Sequence, residues 1–215
     1  MSRRREVGAH RHAGGATAAP RTGVALLLAT LAALAALAVG SCGGGGGGGG
    51  GPTGPPPAQS SITFTPAGGG SGISLASGAA TQGTTLTLDL RSSGIQDLYG
   101  VAFHLSYPSA VMHFVIATQG SVLNGGGAVG TSLQAVETSP GNLVVGLTRL
   151  GPVAGTSAAG TLLTLQFGAV ATGSGTLAFS SNLAADSGGN PIAGVAWSAG
   201  AVQATIVPGS AAAVR

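Results

Sequence analysis

Through the second half of the chain, apolar and polar residues alternate one by one. From Thr84 to Arg91, Leu86, Leu88 and Leu90 fall on one side, and Thr85, Thr87, Asp89 and Arg91 on the other. A period of two with a polar opposite face predicts a half-buried strand. Tyr99, Val101, Phe103, Leu105 and Tyr107 form a second such row, with His104 and Ser106 opposite. Leu143, Val145 and Leu147 form a third. Thr161, Leu163, Leu165 and Phe167 form a fourth, where Leu162 on the other side predicts burial on both faces. Gly175–Phe179, Ile192–Trp197 and Val202–Val207 read as further strands. Turn signals separate them at Ser93-Gly94, Pro140-Gly141-Asn142, Gly173-Ser174-Gly175 and Ser187-Gly188-Gly189-Asn190-Pro191. One helical turn is expected at Ser109–Met112 and a flexible loop at Asn124–Gly127. Short strands with Gly-rich turns and no sustained helical period predict an all-β domain, an antiparallel sandwich or jelly roll over residues 61–207. The small-residue stretch 208–215 reads as a disordered tail.

The front of the chain is built differently. Five arginines precede an apolar run from Val24 to Val39, broken only by Thr30. Basic flank, apolar core and small residues are the layout of a secretory signal. As a helix the run would be about 24 Å long, short for a membrane span, so residues 1–41 read as a cleaved signal rather than a retained anchor. Val39-Gly40-Ser41-Cys42 resembles the bacterial lipobox, which makes Cys42 the expected lipidation site and new N-terminus. Cys42 is the only cysteine, so no disulfide can form within the chain. Residues 42–60 then read as a tether: glycine supplies reach and the prolines stiffen its far end. The expected location is the bacterial cell envelope, at the outer membrane or cell surface. Gly43 stands where an aspartate often marks inner-membrane retention in Gram-negative lipoproteins.

Charge changes once the signal is removed. Arg91, Arg149 and Arg215 remain against Asp89, Asp97, Glu137 and Asp186, a net charge of −1. No basic patch survives to hold nucleic acid.

Several segments, in order, resemble the cohesin family. They are Leu98-Tyr99-Gly100-Val101-Ala102-Phe103-His104-Leu105-Ser106-Tyr107, then Val111-Met112-His113-Phe114 and Gly120-Ser121-Val122-Leu123. Gly141-Asn142-Leu143-Val144-Val145-Gly146, Gly160-Thr161-Leu162-Leu163-Thr164-Leu165-Gln166-Phe167 and Asp186-Ser187-Gly188-Gly189-Asn190-Pro191-Ile192 follow. The family's Asp-Pro after the tyrosine reads Pro108-Ser109 here. The resemblance implies a nine-stranded jelly-roll sandwich that binds a dockerin-bearing protein, attaching polysaccharide-degrading enzymes to a scaffold or cell surface. It places the dockerin contacts on one sheet face, expected to be flat and mostly polar, without assigning them to residues. Related sandwich modules bind carbohydrate, so a polysaccharide partner is the alternative, and a structural envelope lipoprotein is another.

The residues offer little catalytic chemistry. The exported part holds two histidines, His104 and His113. There is no nucleophile elbow and no zinc spacing. Asp89 and Asp97 have no spacing that would pair them for glycoside hydrolysis. No enzyme activity, catalytic residue, cofactor or resident metal is expected. Asp186–Asn190 offers oxygen ligands that could suit calcium, but these are turn-forming residues, and a plain turn is the favoured reading. Tyr99, Tyr107 and Trp197 are the candidate ligand surface: exposed in a line they would make a sugar platform, although each also fits a buried strand face.

Overall fold

The computed structural model describes residues 58–68 and 71–208. The signal, Cys42, the tether as far as Pro57 and the tail beyond Pro208 lie outside the described residues. The chain runs through β1 (Ser61–Pro66), β2 (Gly72–Ser77), β3 (Thr85–Ser93), β4 (Gly100–Ser106) and β5 (Met112–Gln119). It continues through β6 (Thr131–Ser139), β7 (Asn142–Arg149), β8 (Ala159–Ala169), β9 (Gly173–Ala185), β10 (Ala196–Ser198) and β11 (Gly200–Thr205). Six strands pair in the order β1-β11-β9-β4-β7-β6, and five in the order β10-β2-β3-β8-β5. The two sheets face each other as a sandwich, and the described residues contain eleven strands where the resemblance implied nine.

The core follows the period-two rows. Leu86, Leu88, Leu90, Leu105, Leu143, Leu163, Leu165 and Phe167 are fully buried, and Val101, Phe103, Val145 and Leu147 nearly so. Alternation fixes this because each strand presents every second side chain to the opposing sheet. Leu162 is buried too, as expected, and the register gives the reason. Leu90 pairs with Leu163 while Arg91 pairs with Thr161, so Leu162 is the extra residue of a β-bulge.

Several expectations are corrected. The sandwich is not wholly antiparallel: β10 runs parallel to β2, with Trp197 opposite Ile73. Ile192–Val195 is turn and coil, not strand; only Ala196–Ser198 pairs. Gly173–Gly175 is not a turn but the start of β9, paired with β11. Within the loop at Asn124–Gly127, Gly125–Gly127 form a 3-10 turn capped by the Asn124 side chain. At Ser109–Met112 there is a single hydrogen-bonded turn, in which the Val111 and Met112 N–H groups both donate to the Pro108 carbonyl. Thr87, expected on a solvent face, is buried because the β2–β3 connection folds over it. Thr81 Oγ1 bonds the Thr87 backbone, and Gly78 lies against the Thr87 methyl.

Candidate functional site

The two outer faces of the sandwich differ in chemistry. On the five-stranded sheet, Ala76, Asp89, Thr164 and Thr118 share one row, and Thr87, Gln166 and Ile116 another. Thr164 donates to the Asp89 carboxylate at 2.8 Å. This face is mostly polar.

The outer face of β9, β4, β7 and β6 is built from small and apolar residues with a polar rim. Register places three rows across it. Ala185, Gly100, Thr148 and Ser132 form the first; Leu183, Ala102, Gly146 and Gln134 the second; Ser180, His104, Val144 and Val136 the third. Small side chains at Gly100, Ala102, Gly146 and Ala185 leave a trough of about 310 Å³ between Leu183 on one side and Thr148 and Gln134 on the other. Leu183 is 39% exposed and Val136 55%. A strand interior seldom places glycine on a face unless something approaches closely. A Cβ built at Gly146 meets no atom within 4 Å, so the space there is open. The face is thus a shallow apolar trough with a polar rim.

A β-bulge sets one wall. His104 pairs with Ser180 while Ala102 pairs with Leu183, so β9 carries one extra residue here. Ser181 takes φ 51, the left-handed conformation found in one class of bulge. The extra residue shifts the alternation, which turns Leu183 outward and Ala184 inward.

The acidic residues are each engaged within the scaffold. Asp97, itself at φ 53, gathers three segments at one end of the sandwich. Its Oδ1 accepts the Gly155 N–H at 2.9 Å, and its Oδ2 accepts the Ser187 hydroxyl at 2.7 Å and the Ser187 N–H at 3.3 Å. Those donors, the Ser187 hydroxyl first, hold its carboxyl below the ordinary carboxylate value. A depressed carboxylate stabilises the fold above its unfolded pKa, and the contribution is lost as pH falls through the folded value. Asp97→Asn should therefore unfold more easily than the native chain at neutral pH. The gap should close in acid, read as denaturation midpoints across a pH series.

Glu137 accepts the Tyr107 hydroxyl at 2.5 Å and the Gly141 N–H at 3.3 Å, tying β6 to the end of β4. Burial, then this hydrogen bond, pushes the Tyr107 hydroxyl up to about 12. A phenol whose folded pKa is raised contributes stability that is complete below its unfolded value of 10.0 and lost as pH rises through about 12. Tyr107→Phe should cost about 1 kcal/mol near neutrality, with the difference from the native chain shrinking in alkali. Equilibrium unfolding at pH 7 and pH 11 checks it.

Asp186 Oδ1 accepts the N–H groups of Gly188 and Asn190, at 2.9 and 2.8 Å, which is the bonding of a plain turn. Among the described residues no three His, Cys, Asp or Glu side chains cluster as a metal site would require. His104 is exposed on the outer face of β4, and His113 lies across Gly168 of β8.

The three candidate aromatics do not form one surface. Tyr107 is a core residue, packed edge-on against Phe167 at 5.1 Å. Tyr99 is half-buried at the other end of β4, its hydroxyl donating to the Gly151 carbonyl at 2.6 Å. Trp197, half-buried, packs at a tilt against Phe103 at 5.6 Å and edge-on with Phe179 at 5.2 Å. The sequence reading missed Gly100, Ala102, Gly146, Leu183 and Val136. Small residues at outward positions of β4 and β7 were the available signal for the first three.

No protein-family model matches the chain, and no curated protein matches it. Solved structures do. A type II cohesin domain from the cellulosome of Acetivibrio cellulolyticus is 16% identical with a TM-score of 0.50, covering 68% of this chain and 95% of that one. A non-cellulosomal cohesin from Archaeoglobus fulgidus is 19% identical with a TM-score of 0.44, covering 66% and 89%. The sixth cohesin of an Acetivibrio cellulolyticus scaffoldin, in complex with a Cel5 dockerin mutant, is 17% identical with a TM-score of 0.44, covering 66% and 98%. The chain has a cohesin-like fold.

Proposed function

We propose that this chain is a non-catalytic, cohesin-like module that holds a dockerin-bearing protein on the outer face of β9, β4, β7 and β6. A lipid on Cys42 would tie it to the outer membrane or cell surface of a bacterium. The trough between Leu183 and Gln134 carries the reading. Protein contacts are strongest where an apolar centre is desolvated inside a polar rim, and this face has that arrangement. A floor of Gly100, Ala102 and Gly146 lets a partner's side chains approach the backbone itself. The engagement of Asp89, Asp97, Glu137 and Asp186 in scaffold bonds favours binding over acid–base chemistry. Dockerin as the partner follows from the cohesin resemblance, and a part in polysaccharide degradation follows if the partner carries such an enzyme.

The test uses Ala58–Arg215, which includes every strand of the sandwich. Immobilised, it is exposed to secreted protein from the source organism with calcium or with chelator. Calcium-dependent capture of a dockerin-bearing protein is the expected result. Capture of polysaccharide alone, or of the bait by itself, would contradict the reading. The anchor has its own test: Cys42→Ser should move the full chain from the detergent phase to the aqueous phase, and unchanged partitioning would count against a lipid there.

A further inference from the structure

A second cleft lies on the seam between the sheets, away from the trough floor. Its origin is in the connection of β10 to β11. The chain crosses from one sheet to the other through the single residue Ala199, and β10 itself is only three residues long. So short an edge strand leaves the seam beside β9 open, and Trp197 stands in the opening. One cleft of about 640 Å³ has Phe179 and Trp197 at its base and Thr65, Thr176, Asn182 and Ser198 around it. A second, of about 310 Å³, runs past Ile192 and Val195. The two share Asn182 and Trp197, so they meet over the indole.

The chemistry of this cleft is specific. None of its lining residues is charged, so it neither attracts nor repels an ion. Within the described residues the side chains of Thr65, Thr176, Asn182, Trp197 and Ser198 make no hydrogen bond. Hydroxyls, an amide and an indole N–H are therefore all available beside an aromatic base. An apolar floor with a few convergent neutral polar groups, in a volume within the usual range for ligand sites, suits a neutral ring bearing many hydroxyls. The geometry points to a saccharide site here, in which a linear oligosaccharide lies over Trp197 with successive sugars in the two clefts. This site does not rest on the dockerin reading; its smaller cleft shares one residue, Leu183, with the wall of the trough.

Trp197 is the only tryptophan in the chain, so all tryptophan emission comes from this cleft. Ala58–Arg215 is titrated with cello-, xylo-, manno- and chito-pentaose, following Trp197 emission and the Asn182 side-chain amide resonance together. A saturable response to at least one of these, with a Kd of about 1 mM or tighter, is expected. Asn182→Ala removes an exposed side chain without a scaffold bond, and should weaken that binding about three- to tenfold. Gly146→Arg, in the trough, should leave it unchanged. No response from either probe up to about 10 mM would overturn the proposal. So would binding as tight as the native domain's in both Asn182→Ala and the double variant Asn182→Ala with Thr176→Val.

Discussion

Phe103→Ala is expected to destabilise the domain by about 3–5 kcal/mol, the largest effect of any single truncation considered. Phe103 is 1% exposed at the middle of β4, a strand hydrogen-bonded on both sides. Its ring meets Phe179 edge-on at 5.2 Å and Trp197 at 5.6 Å, and those two meet each other at 5.2 Å. Phe179 belongs to the six-stranded sheet and Trp197 to the five-stranded one, so the cluster joins the layers where the seam is open. Removing the central ring leaves a cavity that the paired β4 backbone cannot collapse to fill. Denaturant unfolding measures the loss, and the Trp197 emission maximum should move to the red as its packing goes. Phe179→Ala, at a half-buried ring, should cost less. A Phe103→Ala loss below about 1 kcal/mol would mean that the cluster is not the joint described here.

Gly146→Arg should reduce partner binding at least about thirtyfold while leaving stability unchanged or slightly raised. The two halves of that expectation have separate causes. A Cβ at Gly146 meets nothing within 4 Å, so the substitution strains nothing in the free domain. Glycine in a strand also costs unfolded-chain entropy that another residue would not. On binding, the arginine would fill the trough and bury an unpaired charge at its centre. Thr164→Arg, on the polar face of the other sheet, should leave binding intact. Thermal unfolding and titration of a captured partner separate fold from function.

Much of the sandwich was legible in the sequence because burial on one face imposes a period of two. The rows through Leu86, Val101, Leu143 and Leu163 needed nothing else. Not every strand was named: β1, β2 and β5 escaped although β1 alternates and buries Ile62 and Phe64, and elsewhere the constraint itself is weak. β6 is an edge strand that buries no residue fully, so its polar and apolar positions hardly alternate. β10 is three residues long and held by a parallel pairing that no local pattern announces. The turn expected at Gly173-Ser174-Gly175 failed because pairing with β11 outweighed glycine's local preference.

The binding face was legible in half. Gly100, Ala102 and Gly146 stand at outward positions that alternation alone assigns, and their small size was visible. Leu183 was not, because the bulge at Ser181 shifts the phase of β9 in mid-strand. Tyr107 and Trp197 drew attention by type, yet packing made Tyr107 a core group and left Trp197 half-covered. Asp97 looked isolated in sequence because its partners, Gly155 and Ser187, are 58 and 90 residues away.

The central claim is that the partner sits on the outer face of β9, β4, β7 and β6. Methyl NMR of the labelled domain, free and with a captured partner, tests it most directly. The account predicts that shifts concentrate on Ala102, Val136, Val144 and Leu183, with Ala76, Ile116, Thr118 and Thr164 unmoved. Shifts confined to the second group, or to the loops at the ends of the sandwich, would contradict it.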